Sequence, residues 1–231
     1  MNEVLNPEQL EILRRLDACT LANAIETFQK RLRNEGFVGQ TVRCMFPSMP
    51  PIIGYAATIK VRGSAPAFAG PAYVASTEWW DYIQSLPVPR VAVVQDASEN
   101  PGIGSLVGAV HANILRALDC AAVVTNGVVR NMPAAENIGL QLFAGGISVS
   151  HAYVHIIEFG KPVQIGGLRI ESGDLLHGDM HGVQSIPLGI AAQIPLAAAN
   201  IIAHDQELVT LCQSKDFSLE KLREIIANPH R

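Results

Sequence analysis

The sequence predicts an α/β domain in which a central mixed sheet or barrel is flanked by helices, with further helices at both termini. Three observations carry this prediction. Helical and buried-strand patterns alternate between residues 90 and 144, which is typical of a sheet with helices packed on its faces. Short apolar runs separated by glycine turns dominate residues 152–177, and amphipathic helical patterns occupy both ends of the chain.

The predicted elements form a single domain over residues 1–231. Its parts are N-terminal helices (7–31), a core (52–187) and C-terminal helices (188–228). Asn6 can cap the first helix, and Pro7 suits its first turn. The core strands are expected at 54–61, 90–96, 121–125, 141–144, 152–159, 162–165, 168–170 and 174–177, and the core helices at 79–83, 109–118 and 133–138. Gly166 and Gly167, between two short apolar runs, indicate a hairpin.

The composition limits the classes of partner. Hydrophobic residues make up 48% of the 231 residues and charged residues 16%, which indicates subunit interfaces that cover apolar surface or, alternatively, a large internal core. The net charge of −4 provides no basic surface, so we expect no nucleic-acid partner.

Targeting signals and cysteine usage point to one compartment. The N-terminus has no apolar signal segment, and the apolar run at 190–202 is too short to span a bilayer and contains Pro195. The four cysteines are scattered, which favours free, buried thiols in a reducing environment. The sequence therefore predicts a cytoplasmic protein with no membrane partner.

The most informative segment runs from Gly108 to Asn131. It predicts a loop, a helix, a buried strand and a turn that presents Arg130. This order places the backbone N–H groups of a helix N-terminus and one guanidinium at the carboxyl end of a strand, where α/β sheets bind small anions. The segment therefore predicts a small-anion site.

Three short motifs in this segment carry a family resemblance. They are Gly108-Ala109-Val110-His111, Val123-Val124 and Asn126-Gly127-Val128-Val129-Arg130-Asn131. In order and without a gap they follow the pattern G-E-L-L, G-V-V and D-G-x-V-R-D, so the chain resembles the RraA-like family. That family includes 4-hydroxy-4-methyl-2-oxoglutarate aldolases and the regulator of ribonuclease E activity, and its members are often mislabelled as demethylmenaquinone methyltransferases. The resemblance covers most of the chain.

The resemblance implies a class II aldolase-like lyase. Such an enzyme uses a divalent metal, magnesium or manganese, to cleave a 2-keto acid and release pyruvate as its enolate, and oxaloacetate decarboxylation passes through the same enolate. By resemblance, the backbone of Gly108, Ala109, Val110 and His111 binds the substrate carboxylate, and Arg130 clamps the keto acid. A homo-oligomer, trimer or hexamer, is also implied.

The chain departs from the family at the metal. The acidic residue of G-E is Ala109, the metal-ligating aspartate is Asn131, and the aspartate of the D-G turn is Asn126. An asparagine carbonyl can ligate a metal but contributes no charge, so Asn131 is expected to be a weak ligand. We expect Arg130 and Asn131 to be the catalytic pair of a degenerate site.

Histidines offer an alternative metal site. His177, Asp179 and His181 would share one face of an extended strand, and His151 with His155 would do the same. The functional interpretation is a zinc, manganese or iron site built from His177, Asp179 and His181. The alternative is that these are polar residues bonded to backbone at strand ends.

Two further segments lie near the expected site. Asp96 follows a buried strand and could supply a distant carboxylate, although a solvated loop is the default expectation. The glycines between Gly102 and Gly108 lack G-x-G-x-x-G spacing, so a dinucleotide loop is not predicted.

Three functional hypotheses remain open from the sequence. The first is an aldolase-like lyase that acts on a small 2-keto acid with Arg130 as its anchor. The second is a non-catalytic regulatory or ligand-binding protein that kept the anion site, as Ala109 and Asn131 suggest. The third is a metalloenzyme with a relocated histidine site.

Overall fold

The computed structural model describes residues 4–67 and 77–227, and residue 228 at the end of the predicted C-terminal region lies outside them. Within these ranges the helices are α1 (Pro7–Arg15), α2 (Ala18–Thr27), α3 (Thr77–Ser85), α4 (Ala109–Ala117), α5 (Met132–Asn137), α6 (Ile194–Gln213) and α7 (Leu219–Ala227), with a 3-10 helix at Leu188–Gln193. The strands are β1 (Arg43–Cys44), β2 (Ile52–Arg62), β3 (Arg90–Asp96), β4 (Cys120–Thr125), β5 (Val128–Val129), β6 (Gln141–Ala144), β7 (Gly146–Ile147), β8 (His155–Phe159), β9 (Val163–Ile165), β10 (Leu168–Ile170), β11 (Leu175–Asp179) and β12 (Gly182–Ile186).

One mixed sheet organises the domain. Its strand order is β1-β6-β4-β3-β2-β11-β12, and β8 pairs with the end of β2 that β11 leaves free. Strands β2, β3, β4 and β6 run parallel, and β1, β8, β11 and β12 are antiparallel to their neighbours. The sheet curves into a nearly closed barrel flanked by helices, so the predicted fold class is confirmed.

Apolar side chains alternate along the strands and fill three clusters. On the outer face, Ile59, Val94 and Val123 join residues of α3, α4 and α5. On the inner face, Val93 and Val124 pack against the β9–β10 hairpin. The third cluster joins the N-terminal helices and α6 to the β2–β11–β12 part of the sheet. The central strands are therefore buried on both faces, which explains their continuous apolar runs.

Local signals account for most of the element boundaries. The Asn6 side chain accepts a hydrogen bond from the backbone N–H of Gln9, and Pro7 lies in the first turn of α1, as predicted. Gly166 and Gly167 have positive φ and connect β9 to β10, which confirms the predicted hairpin.

Several elements differ from the predictions. The strand expected from residue 152 begins at His155, because Ala152 has a φ of +46° and lies in a turn. Strands β1, β5, β7 and β12 were not predicted. The apolar run at 190–202 forms the start of α6, which continues to Gln213; Pro195 lies in the first turn of this helix, where the missing N–H is harmless.

The cysteines are free, as expected, but the prediction that they are buried is wrong for two of them. Cys19 and Cys212 are exposed, Cys44 is half-buried and Cys120 is buried. Burial raises the pKa of the Cys120 thiol to about 12. Among the described helices, none is long and apolar enough to cross a membrane.

Candidate functional site

The candidate site lies beyond the carboxyl ends of the parallel strands β3 and β4, where helix α4 begins. Gly108 is the N-cap residue of α4 and provides no side-chain cap. The first N–H groups of a helix have no intrahelical partner, so the start of α4 presents donors and a partial positive charge. The start of α4 therefore has the backbone arrangement expected for Gly108 to His111, and anion binding there stays a prediction.

Arg130 lies directly against this helix start. A Cβ added to Gly108 would be 2.9 Å from Arg130 Nε and 3.3 Å from one of its terminal nitrogens. Only glycine leaves room for the guanidinium to approach the N-terminus of α4 this closely. The backbone of Arg130 is held by its N–H, which donates to the Val107 carbonyl at 3.1 Å.

The guanidinium of Arg130 has unused capacity to bind a ligand. Its Nε is buried and makes no hydrogen bond within the described part of the chain. A buried donor without a partner costs free energy in the ligand-free protein, on the order of 1–3 kcal/mol. A carboxylate or keto acid bound between Arg130 and α4 would satisfy it.

Asn131 holds the turn between the arginine and the next helix. It adopts the left-handed conformation with a φ of +55° and precedes α5, a conformation that asparagine and aspartate tolerate better than other side chains. Its Oδ1 accepts a long hydrogen bond of 3.4 Å from the Ala109 N–H. Asn131 therefore contacts the helix start.

His111 brings an imidazole to the same helix start. Its side chain is 7% exposed and lies on the inner face of α4 with Ala112 and Leu115. Burial lowers the pKa of His111, and the nearby Arg130 guanidinium lowers it further. The sequence analysis assigned only the backbone of His111 to the site. A histidine at a core-facing position of the predicted helix was the signal that could have indicated a role for its side chain.

Asp96 and Asn126 form the frame beneath the site. The Asn126 side chain accepts from the Asp96 backbone N–H at 2.8 Å and donates to the Asp96 carbonyl at 2.9 Å. The carboxylate of Asp96 accepts from the backbone N–H groups of Ser98 and Gly102 at 3.0 and 2.8 Å. The default expectation of a solvated loop is wrong for Asp96, which is 4% exposed.

These contacts change the interpretation of Asn126. The D-G aspartate of the family pattern is absent at this position, but the amide has a structural task that a carboxylate cannot perform. It both donates to and accepts from the backbone at the end of the neighbouring strand, whereas an ionised aspartate only accepts.

The residues of the site do not suit a divalent cation. Asn131 supplies a neutral oxygen that already accepts from the Ala109 N–H, and Ala109 supplies no ligand. Both oxygens of Asp96 are committed to backbone N–H groups. Among residues 4–67 and 77–227, no group of three or more histidine, cysteine, aspartate or glutamate side chains could hold a metal ion.

The alternative metal set at His177, Asp179 and His181 has no support in the structure. Asp179 accepts from the Ala18 N–H at 2.8 Å and from the His181 N–H at 2.8 Å, so it anchors helix α2 and its own turn. His177 is fully buried and lies against the backbone of Arg14 and Leu16 at the end of α1. Burial lowers the pKa of His177, against a smaller opposite effect of Asp179.

The two histidine groups are also far apart. His155 pairs with Arg62 at one end of β2, and His177 pairs with Ile53 near the other end. Nine residues of strand separate those positions, about 30 Å at the usual rise. His151 precedes β8 and does not share a strand face with His155, because the turn at Ala152 intervenes.

Comparisons with known proteins agree with this architecture. A family model described as RraA-like, aldolase/RraA, matches residues 18–184. A protein of Halalkalibacterium halodurans, provisionally assigned as a 4-hydroxy-4-methyl-2-oxoglutarate aldolase, is 24% identical over 152 residues, which cover 63% of this chain and 72% of that protein.

Two solved structures share the fold. An uncharacterized protein from Pseudomonas syringae pv. tomato superposes with a TM-score of 0.75 at 21% identity and covers 97% of this chain and 96% of its own. The second is Streptomyces coelicolor RraAS2, an unusual member of the RNase ES inhibitor RraA protein family. It superposes with a TM-score of 0.68 at 18% identity, and the match covers 92% of this chain and 99% of that one.

Proposed function

Since this chain belongs to the RraA-like family, we propose that it is an aldolase-like lyase that cleaves a carbon–carbon bond in a small 2-keto acid and releases pyruvate. One observation carries the proposal: the buried Nε of Arg130, which has no partner among the described residues, lies against the start of α4, where the N-cap residue Gly108 provides no side-chain cap. This pairing suits a planar anion with adjacent carboxylate and keto oxygens. The relative from Halalkalibacterium halodurans supports the substrate type, 4-hydroxy-4-methyl-2-oxoglutarate.

In this proposal each group of the site has a defined task. The N–H groups at the start of α4 bind the carboxylate, and Arg130 donates to the keto oxygen and the nearer carboxylate oxygen. When the bond between the third and fourth carbons breaks, negative charge moves to the keto oxygen. A positioned guanidinium stabilises this charge without any reorganisation of solvent.

The metal implied by the family has no role in this mechanism, because Ala109 and Asn131 provide no charged ligand for it. Restoring the missing acids provides the test. In the double variant Ala109→Glu, Asn131→Asp, two carboxylates would flank Arg130, and we expect pyruvate release from oxaloacetate to become dependent on magnesium or manganese.

The experiment pairs elemental analysis of the purified protein with a coupled assay for pyruvate. We expect the double variant to retain metal through purification and to release pyruvate at least about 10-fold faster with magnesium than the parent chain. Arg130→Gln in the same background serves as the control and should abolish the gain. No gain in the double variant would count against an aldolase scaffold.

A second candidate function is a ligand-binding regulator without catalysis. The observation that favours it is the replacement of acidic residues by Ala109 and Asn131 in an otherwise intact anion site. RraAS2, which has the same fold, belongs to a family of RNase ES inhibitors. A parent chain that binds pyruvate through Arg130 but turns over no keto acid would favour this candidate.

We also propose that the protein assembles as a homo-oligomer, a trimer or a hexamer. Helix α7 contains no buried residue, and Val149 is 93% exposed. Apolar surface of this kind is usually covered in an assembly. Light scattering on the purified chain measures the number of subunits, and a monomer at micromolar concentration would contradict the proposal.

A further inference from the structure

The side chain of His111 belongs to the same helix start as the proposed anion site and lies near Arg130. It lies in the first turn of α4, on the face that otherwise carries Ala112 and Leu115 into the core. Side chains in a helix point back toward its N-terminus, so the imidazole is directed toward the end of α4 that faces Arg130. His111 is only 7% exposed, so its imidazole is largely shielded from water, which strengthens its electrostatic interactions.

The surroundings keep this imidazole neutral. Burial lowers the pKa of His111, and the Arg130 guanidinium lowers it further. The partial positive charge at the start of α4 also opposes a second cation there. A neutral imidazole keeps one N–H donor and one acceptor nitrogen, and a neutral histidine at a helix N-terminus is a known means of polarising a carbonyl group.

We propose that His111 is a catalytic residue whose neutral imidazole N–H donates a hydrogen bond to the keto oxygen of the substrate. This inference rests on the proposed function, because it assigns a second donor to the oxygen that Arg130 binds. The two side chains together stabilise the enolate oxygen, and in this carboxylate-poor site they supply the positive potential that the family pattern assigns partly to a metal.

The electron flow in oxaloacetate defines the task. The bond between the third and fourth carbons breaks and carbon dioxide leaves. The electron pair of that bond forms the double bond of the enolate, and the carbonyl π pair moves onto the keto oxygen, where His111 and Arg130 donate. The third carbon then takes a proton from water, and pyruvate is released with no change in oxidation state of any protein group.

Aldol cleavage of a 4-hydroxy-2-keto acid differs in one respect. The 4-hydroxyl must lose a proton to a base, whereas oxaloacetate decarboxylation needs no base. A histidine that polarises the keto group is needed for both reactions. A histidine that serves only as the base is needed for aldol cleavage but not for oxaloacetate decarboxylation. The pair of substrates therefore separates the two roles.

The test uses the full chain with a metal chelator and compares His111→Ala, His111→Gln and the control His204→Ala, which changes a histidine of α6 outside the site. We expect His111→Ala to lower kcat for oxaloacetate decarboxylation about 100-fold, with KM changed much less. His111→Gln should retain more activity than His111→Ala because its amide can donate. His204→Ala should match the parent chain.

A binding measurement supplies a second readout that does not depend on turnover. Oxalate resembles the enolate of pyruvate, so calorimetry with chelator present should show that His111→Ala weakens oxalate binding about 10-fold more than pyruvate binding. An equal loss for both ligands would mean that His111 only maintains the shape of the site, and the proposal would fail.

The remaining outcomes are also decisive. Unchanged decarboxylation in His111→Ala overturns the proposal and leaves the lyase function intact. A loss confined to the 4-hydroxy acid makes His111 a base and overturns its role as a donor. A parent chain that binds neither ligand and releases no pyruvate, with or without magnesium, overturns the proposed function and this inference with it.

Discussion

The amide of Asn126 connects the ends of two parallel strands. It forms two hydrogen bonds to the backbone of Asp96 across 30 positions of sequence, while the carboxylate of Asp96 holds the loop that leads through Gly102 toward α4. The two halves of the candidate site, the start of α4 and Arg130, therefore share one frame. Aspartate cannot replace Asn126 in this frame, because it has no N–H to donate.

We predict that Asn126→Asp destabilises the fold by about 1–3 kcal/mol. The substitution removes the donation to the Asp96 carbonyl and places a carboxylate against that oxygen. Denaturant unfolding measures the loss. Asn113→Asp is the matched control, because its amide also donates to a carbonyl, that of Ala109, but is exposed to water, which can replace the bond. Equal stability of both variants would show that the Asn126 bonds contribute nothing.

Sequence patterns predicted most of the strands and helices but not the contacts between them. Strand β3 was predicted at its observed bounds because a run of buried apolar residues is a local signal. Strand β12 was missed because it alternates weakly and its buried Gln184 is satisfied only through tertiary contacts, by donating to the Ala18 carbonyl.

In the candidate site, too, the features with a local sequence signal were predicted and those that depend on tertiary contacts were not. The motif around Arg130 and the helix start were predictable, because glycine, arginine and a helix N-terminus have local meaning. The frame formed by Asp96 and Asn126 was not, since its bonds join residues that come together only after the strands pair. The direction of the His111 ring likewise depends on how α4 packs on the sheet.

The turn between β11 and β12 makes a prediction about the N-terminal helices. Asp179 accepts from the Ala18 N–H at the start of α2 as well as from the His181 N–H. We expect Asp179→Ala to lower the free energy of unfolding by about 1–2 kcal/mol, as loss of a helix cap does. His181→Ala should change it by less than about 0.5 kcal/mol, because His181 is exposed.

Urea denaturation of the two variants measures this difference, and elemental analysis of the same samples adds a second criterion. A helix-anchoring role affects stability in Asp179→Ala alone. A zinc, manganese or iron content that both substitutions removed would instead restore the histidine metal site as a hypothesis.

For the whole molecule, buried histidines link folding to pH. His177 lies at the junction of β11 with the N-terminal helices, fully buried. Burial lowers its pKa, although Asp179, hydrogen bonding to the backbone of Arg14 and Leu16, and Asp17 act in the opposite direction. His111 is shifted in the same direction by burial and by Arg130. Both rings therefore bind a proton more readily in the unfolded chain than in the native one.

The sign of the pH effect follows from this difference. Above the ordinary pKa of histidine, about 6.5, both states are neutral and the stability is fully present. As the pH falls below that value, the unfolded chain gains protons that the folded chain does not. The free energy of unfolding should then fall, by at most about 1.4 kcal/mol per pH unit for each histidine.

Replacing His177 with leucine tests the linkage at one residue. A leucine side chain binds no proton in either state, so the stability of His177→Leu should fall less steeply between pH 7 and pH 5, while His111 maintains part of the slope. Urea unfolding across this range measures the effect, with His204→Leu on α6 as the control. Parallel curves for His177→Leu and the parent chain would mean that His177 binds a proton as readily in the native fold as in the unfolded chain, which would contradict the prediction.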